Sequence, residues 1–166
     1  KRRLEFLDSL DRLATANATT EKQMHTALQN NLWVFGPEYS LMSSNRQLRS
    51  IIEDYIGSKY TGDDASNRPD LFLAGNVFKK HLLIEFKKPT LKVGRSAEAQ
   101  AKEYADTLTG RLGISFDILI IGGEVEPKLV HEYDGQRTKF LSYRAVIEMA
   151  KTQLEWMLKE LALNPK

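Results

Sequence analysis

Apolar positions recur at two spacings along this chain, and each change of spacing marks an element. Leu4, Leu7 and Leu10 fall on one side of a short helix over 4–14. Thr19 and Thr20 offer N-cap oxygens just ahead of Glu21, and Met24, Ala27, Leu28 and Leu32 continue a second helical stripe around Asn30-Asn31. Trp33-Val34-Phe35-Gly36-Pro37 is an apolar elbow that closes it. Glu38 to Ser43 is a candidate first strand. Leu48, Ile51, Ile52 and Tyr55 share one side of a helix over 47–56, and the polar stretch 57–67 with Gly62-Asp63-Asp64 is a loop.

The centre switches to short apolar runs. Asp70-Leu71-Phe72-Leu73-Ala74 enters a strand through Pro69, and His81-Leu82-Leu83-Ile84-Glu85-Phe86 is a second strand beyond the Gly75-Asn76 turn signal. Pro89 stops that strand. The Ala-, Glu-, Gln- and Lys-rich stretch 96–108 reads as a helix closed off by Gly110 and Gly113. Phe116 to Ile121 is almost continuously apolar, as a strand buried on both faces requires. Lys128 to Tyr133 and Arg137 to Leu141 predict a hairpin around Asp134-Gly135, and Ser142 can cap a last helix reaching about Leu163. The predicted fold class is α/β, with a central mixed sheet flanked by helices and an extra C-terminal hairpin and helix. The 166 residues suit one domain, taken as 19–166, preceded by a linker helix over 1–18. The start at Lys1 reads as a segment of a longer protein.

Composition narrows the chemistry mostly by exclusion. There is no cysteine, so disulfides, zinc–thiolate sites and cysteine nucleophiles are ruled out, and three scattered histidines are a poor basis for a metal cluster. No apolar run approaches the ~20 residues that span a bilayer, so no membrane is expected and the cytoplasm is the expected compartment. The net charge of +2 announces no nucleic-acid binder, so any basic surface has to be local. One such surface exists: from Lys79 to Arg95 there are six basic residues (79, 80, 87, 88, 92 and 95) against the single acid Glu85.

Those charges surround a specific arrangement. Side chains alternate along a strand, so Glu85 and Lys87 share a face while Phe86 takes the other. If the hairpin brings Asp70 alongside, two carboxylates and an ammonium converge at a strand end. Such hard oxygens suit Mg²⁺, and Lys87 can orient an attacking water and offset phosphate charge. A glutamate inside Leu82-Leu83-Ile84-Glu85-Phe86 is costly to bury without a partner, which favours a functional role over an ordinary hairpin position.

Arg68-Pro69-Asp70, followed by Ile84-Glu85-Phe86-Lys87-Lys88-Pro89, resembles the signature of the PD-(D/E)XK nuclease superfamily. Gln100-Ala101-Lys102-Glu103-Tyr104 is similar to the Gln-x-x-x-Tyr helix motif of its RecB-like branch. The elbow Leu32-Trp33-Val34-Phe35-Gly36-Pro37-Glu38-Tyr39, with the order of the later motifs, resembles the C-terminal nuclease domain of Shedu anti-phage defence proteins. Related domains are also fused to GHKL-type ATPases. The likeness spans roughly 20–121. It implies a restriction-endonuclease-like αβββαβ core and a metal-dependent DNA endonuclease. Asp70, Glu85, Lys87, Glu21, Gln100 and Tyr104 would be its catalytic residues. Asp70, Glu85 and the Phe86 carbonyl would hold Mg²⁺, with Mn²⁺ as a substitute. Lys88, Lys92, Arg95 and Arg68 would meet the DNA phosphate backbone. A sensor or ATPase region of the same protein would control it.

Blander readings stand beside these. Glu21 competes with Gln29 and Glu38 for the helix-borne acid, and an acid at a helix start is favoured by the dipole in any case. Gln100 and Tyr104 are one turn apart, as any packed pair can be. His25, His81 and His131 read as structural or surface residues, and Trp33, Phe35 and Tyr39 as core. The alternative function is a catalytically silent fold kept for nucleic-acid binding or for oligomerisation within a larger ATPase protein. The last helix, with Val146, Ile147, Met149, Leu154, Trp156, Met157, Leu158 and Leu161, has more apolar surface than one seam needs, which predicts a homo-oligomer.

Overall fold

A computed structural model describes residues 2–36, 40–44, 50, 53, 69–74, 81–113, 115–129 and 137–163. The expected helix over 47–56 and loop over 57–67 lie almost wholly outside the described residues, as do Arg68, Glu38, Tyr39 and His131. The chain runs α1 (Arg2–Thr15), α2 (Glu21–Gln29), a 3₁₀ turn (Leu32–Phe35), β1 (Ser40–Ser44), β2 (Leu71–Ala74), β3 (His81–Phe86), β4 (Lys92–Val93), α3 (Arg95–Leu112), β5 (Phe116–Gly122), β6 (Glu124–Val125), a second 3₁₀ turn (Pro127–Leu129), β7 (Thr138–Ser142) and α4 (Tyr143–Leu163).

Among the described residues, five strands form one mixed sheet in the order β1-β2-β3-β5-β7. β1, β2 and β3 run antiparallel, and β3, β5 and β7 run parallel. The parallel half follows from burial. Within β5, Ile118 to Ile121 is an unbroken run of Ile and Leu, buried on both faces, and the strand sits between two neighbours. β7 is the second of these. Residues 138–142 extend the sheet beside β5, and residues 130–136 of the expected hairpin lie outside the described residues. Lys128 and Leu129 belong to a 3₁₀ turn, and Asp134-Gly135 lies outside the described residues.

The sheet separates two cores. On one face Leu82, Ile84 and Phe86 of β3 meet α1, α2 and α4 through Leu7, Leu10, Met24, Leu28, Tyr143 and Ile147. On the other, Leu83 meets Ala101, Tyr104, Ala105 and Leu108 of α3. Each such apolar side chain contributes about 1.5–3 kcal/mol on burial. α1, expected as a linker, places Leu7 and Leu10 fully inside the first core, and Lys151 of α4 meets its Asp8 at 2.9 Å.

Local signals set the helix that faces the site. Thr20 and Gln23 form a capping box: the Gln23 N–H donates to Thr20 Oγ1 at 3.2 Å, and the Thr20 N–H donates to Gln23 Oε1 at 2.8 Å. Glu21 and His25, one turn apart on α2, are aimed by that start. α3 ends where Gly113 adopts a left-handed conformation (φ 65°) and its N–H reaches the Thr109 carbonyl. The small β4–β6 pair has no periodic sequence signal; it forms where the chain leaving β3 lies across the glycines that end β5.

Candidate functional site

β2 and β3 pair with Leu71 opposite Ile84, so one residue further on Asp70 stands across from Glu85. The sequence spacing therefore does what it promised. The Phe86 N–H donates to Asp70 Oδ2 at 2.7 Å, and the Asp70 N–H reaches Glu85 Oε1 at 3.4 Å. Lys87 Nζ stands 3.9 Å from Glu85 Oε2. Alternation along β3 turns Glu85 toward the α3 side while Phe86 fills the core beneath. On α3, the Gln100 amide donates to the Tyr104 hydroxyl, and burial together with the charges of Glu85 and Asp70 raises the Tyr104 pKa. Tyr104 thus lies within electrostatic reach of Glu85 and Asp70, and Gln100 is bonded to it.

The electrostatics are unbalanced. Glu85 is 4% exposed. Burial, then the facing Asp70 charge, push its pKa up to about 8, with Lys87 and the Asp70 N–H pulling the other way. Burial also raises Asp70, opposed by the Phe86 N–H, His25 and Lys87. Glu21 is raised by burial and by Asp70, while Lys87 and Lys88 lower it. Three carboxyl groups therefore sense one another, and among the described residues the Lys87 ammonium stands 3.9 Å from Glu85. That is the signature of a place prepared for additional positive charge. Among the described residues no three His, Asp or Glu side chains converge as a metal cage. Asp70 and Glu85 could offer hard carboxylate oxygens of the kind Mg²⁺ uses when it keeps several waters.

Two neighbours were not anticipated as site residues. His25, read as structural or surface, has Nδ1 3.8 Å from Asp70 Oδ1 and its ring 5.6 Å from that of Phe86. Burial lowers its pKa and Asp70 opposes this. Tyr143, the first residue of α4, is 2% exposed and stacks on Phe86, with centroids 6.5 Å apart and planes at 16°. Its hydroxyl donates to the Lys87 carbonyl at 2.7 Å. Burial, with Glu21 and Asp70 nearby, raises its pKa, which keeps the donor protonated. The spacing of His25 from Glu21 was the available signal for the first; nothing local could have located the second, 56 residues from its acceptor.

The basic residues divide. Lys88 is exposed, and its charge is felt at Glu21. Lys92 pairs with Glu124 at 3.7 Å, two largely exposed groups. Arg95 meets buried Glu98 at 3.0 Å and lies over the Phe140 ring. Lys79 and Lys80 lie outside the described residues.

No family model matches the chain, and no curated protein matches it in sequence. Among solved structures it is similar to a repair endonuclease from Pyrococcus abyssi, with a TM-score of 0.51 and 16% identity over 75% of this chain. It spans 47% of that protein's chain. With the α2-β1-β2-β3-α3-β5 order and a mixed sheet flanked by helices, the fold is restriction-endonuclease-like. Among the described residues no helix is long and apolar enough to cross a membrane.

Proposed function

We propose that this chain is a metal-dependent DNA endonuclease domain that hydrolyses phosphodiester bonds, working in anti-phage defence as a Shedu-type nuclease. The observation that carries the chemistry is the buried pair Asp70 and Glu85, short of positive charge, with the Lys87 ammonium 3.9 Å from Glu85. The fold and the likeness to a repair endonuclease support a nuclease. The defence role rests on the motif resemblance.

Mg²⁺, with Mn²⁺ as a substitute, fits the donor set: Asp70, Glu85 and the Phe86 carbonyl would hold it. Such an ion, when bound, supplies Lewis acidity toward phosphate oxygens and water. The chain's own residues do the rest. Lys87 neutralises charge on the scissile phosphate and orients a water toward it. Gln100 and Tyr104 form a polar wall opposite the strand end. Glu21 and His25 border the site from α2. Lys88 meets the DNA backbone, and such contacts position a duplex without reading its sequence. The partners proposed are DNA, further copies of the chain, and a sensor or ATPase region of the same protein. The surface for self-association is the far end of α4, where Trp156, Met157, Leu158 and Leu161 are exposed.

The test is cleavage of linear and supercoiled DNA with Mg²⁺, Mn²⁺ or chelator, beside Lys87→Ala. Cutting that needs metal and that the variant lacks is the expected result; equal cutting by both proteins would sink the assignment. A second reading, a silent fold kept for binding, has one observation in its favour: Asp70 already faces the Phe86 N–H and His25 with its two oxygens. Carboxylate-dependent Mn²⁺ binding by titration separates the two.

A further inference from the structure

The backbone of Lys87 is fixed on both sides. Its N–H donates to the Ile121 carbonyl at 2.8 Å, continuing the β3–β5 ladder one residue past the strand. Its carbonyl lies beyond that ladder and accepts from the Tyr143 hydroxyl at 2.7 Å. Two residues on, the chain is pressed against β5: a Cβ on Gly123 would stand 1.8 Å from the Pro89 carbonyl oxygen, and the Gly123 N–H reaches the Leu91 carbonyl at 2.8 Å. The Phe86 ring, at the same strand end, lies against the rings of both His25 and Tyr143.

We infer that Tyr143 is a positioning residue for Lys87: its hydroxyl holds the end of β3 so that the Lys87 ammonium stays over Glu85. A buried tyrosine hydroxyl needs a partner, and here that partner is the carbonyl of the residue proposed to act on phosphate. Ring and hydroxyl act together. The stack on Phe86 sets the height of the strand, and the hydrogen bond sets the rotation of the Lys87 peptide, from which the lysine side chain departs. The link also ties the first turn of α4 to the site across 56 residues of chain. The consequence for cleavage rests on the nuclease reading; the consequence for Lys87 itself does not.

The experiment uses Tyr143→Phe in the 166-residue chain, which keeps the ring and removes the donor. The first readout is NMR of selectively labelled Lys87, its carbonyl ¹³C and its side-chain ¹⁵N. Both signals are expected to move in the variant. An unmoved side-chain signal would overturn the inference whatever the DNA assay gives. The second readout is single-turnover cleavage at saturating DNA with separate measurement of binding. The rate should fall about tenfold, within the range that misplacing a catalytic group produces, with affinity unchanged. Ile147→Val, one turn along the same helix and equally buried, is the control for general loosening, and its rate should stay at the wild-type level. Equal slowing by both variants, or a wild-type rate in Tyr143→Phe, overturns the positioning role. Wild-type protein that does not cut at all refutes the nuclease reading instead and leaves the NMR result to decide on Tyr143.

Discussion

Glu85 and Glu98 are the two buried glutamates of the described chain, 4% and 5% exposed, and their charges are treated in opposite ways. Glu98, on the first turns of α3, meets Arg95 at 3.0 Å and Lys102 at 2.8 Å and also bonds Thr138. Burial raises its pKa, but these hydrogen bonds outweigh burial and the net shift is downward. Glu85 faces another carboxylate across the hairpin and has one ammonium at 3.9 Å, and its pKa is driven up to about 8. Two side chains equally closed to solvent, Glu85 the more deeply set, thus give a satisfied structural anchor at one place and an electrostatic deficit at the other. The deficit marks the candidate site; burial alone does not.

Exchanging each glutamate for its neutral isostere tests this contrast most sharply. Glu85→Gln should lower DNA cleavage by a factor on the order of 10³, the scale expected when a metal-holding carboxylate is lost. Glu98→Gln should leave the single-turnover rate within about twofold, because its partners are committed to α3 and β7 and not to the site. Matched losses of activity in the two variants would erase the distinction.

Stability should separate the two in the reverse sense. In Glu85 the folded pKa lies above the ordinary value of 4.5, so between about 4.5 and 8 the folded state holds a proton that the unfolded state has released. Its contribution is fully present below 4.5 and is lost as pH rises to 8, at roughly 1.4 kcal/mol per pH unit at most. Glu85→Gln should therefore melt higher than wild type at pH 8 without metal, by roughly 2–4 kcal/mol. Added Mn²⁺ should raise the melting temperature of wild type and not of the variant. Glu98 behaves oppositely. Its depressed pKa contributes stability above 4.5 that disappears on acidification through the folded value. With Arg95 and Lys102 both partly exposed, Glu98→Gln should cost about 1–2 kcal/mol at pH 7. Urea melts of both variants from pH 4 to 8 read both slopes.

How much of this could be read in advance differs between the same two places. Asp70, Glu85 and Lys87 were legible because a charge inside an apolar run is locally anomalous, and because period-two alternation fixes which residues share a face. The helices and strands of the cores were legible for the same periodic reason. Glu98 was not legible, since one acid among Ala, Gln and Lys looks like an ordinary solvated helix position, and its burial depends on Thr138 of a strand placed by topology. Tyr143 was hidden similarly: its role comes from the packing of α4 under β3, which no local pattern encodes. The pairing of β7 with β5 was not legible, because it depends on which second neighbour the doubly buried β5 takes. A count of basic residues also does not show that Arg95 has a buried partner, Glu98.

That last point gives the smallest expected effect. Lys88 and Arg95 are both basic and lie near one another in the chain, yet Lys88 is exposed beside the site while Arg95 is engaged with Glu98 and Phe140. A cation that meets a phosphate releases counterions on binding, so its loss flattens the dependence of log affinity on log salt by about 0.9. Lys88→Ala should show that change, together with a uniform, few-fold weakening on unrelated DNA sequences. Arg95→Ala should leave the salt slope where it was and lower the melting temperature instead, because it removes a partner from a buried carboxylate. Fluorescence anisotropy with a short duplex between 50 and 200 mM salt measures both. A slope that falls with Arg95→Ala and not with Lys88→Ala would place the DNA-facing surface on the α3 and β7 side, and Glu98 would then belong to the functional half of the contrast.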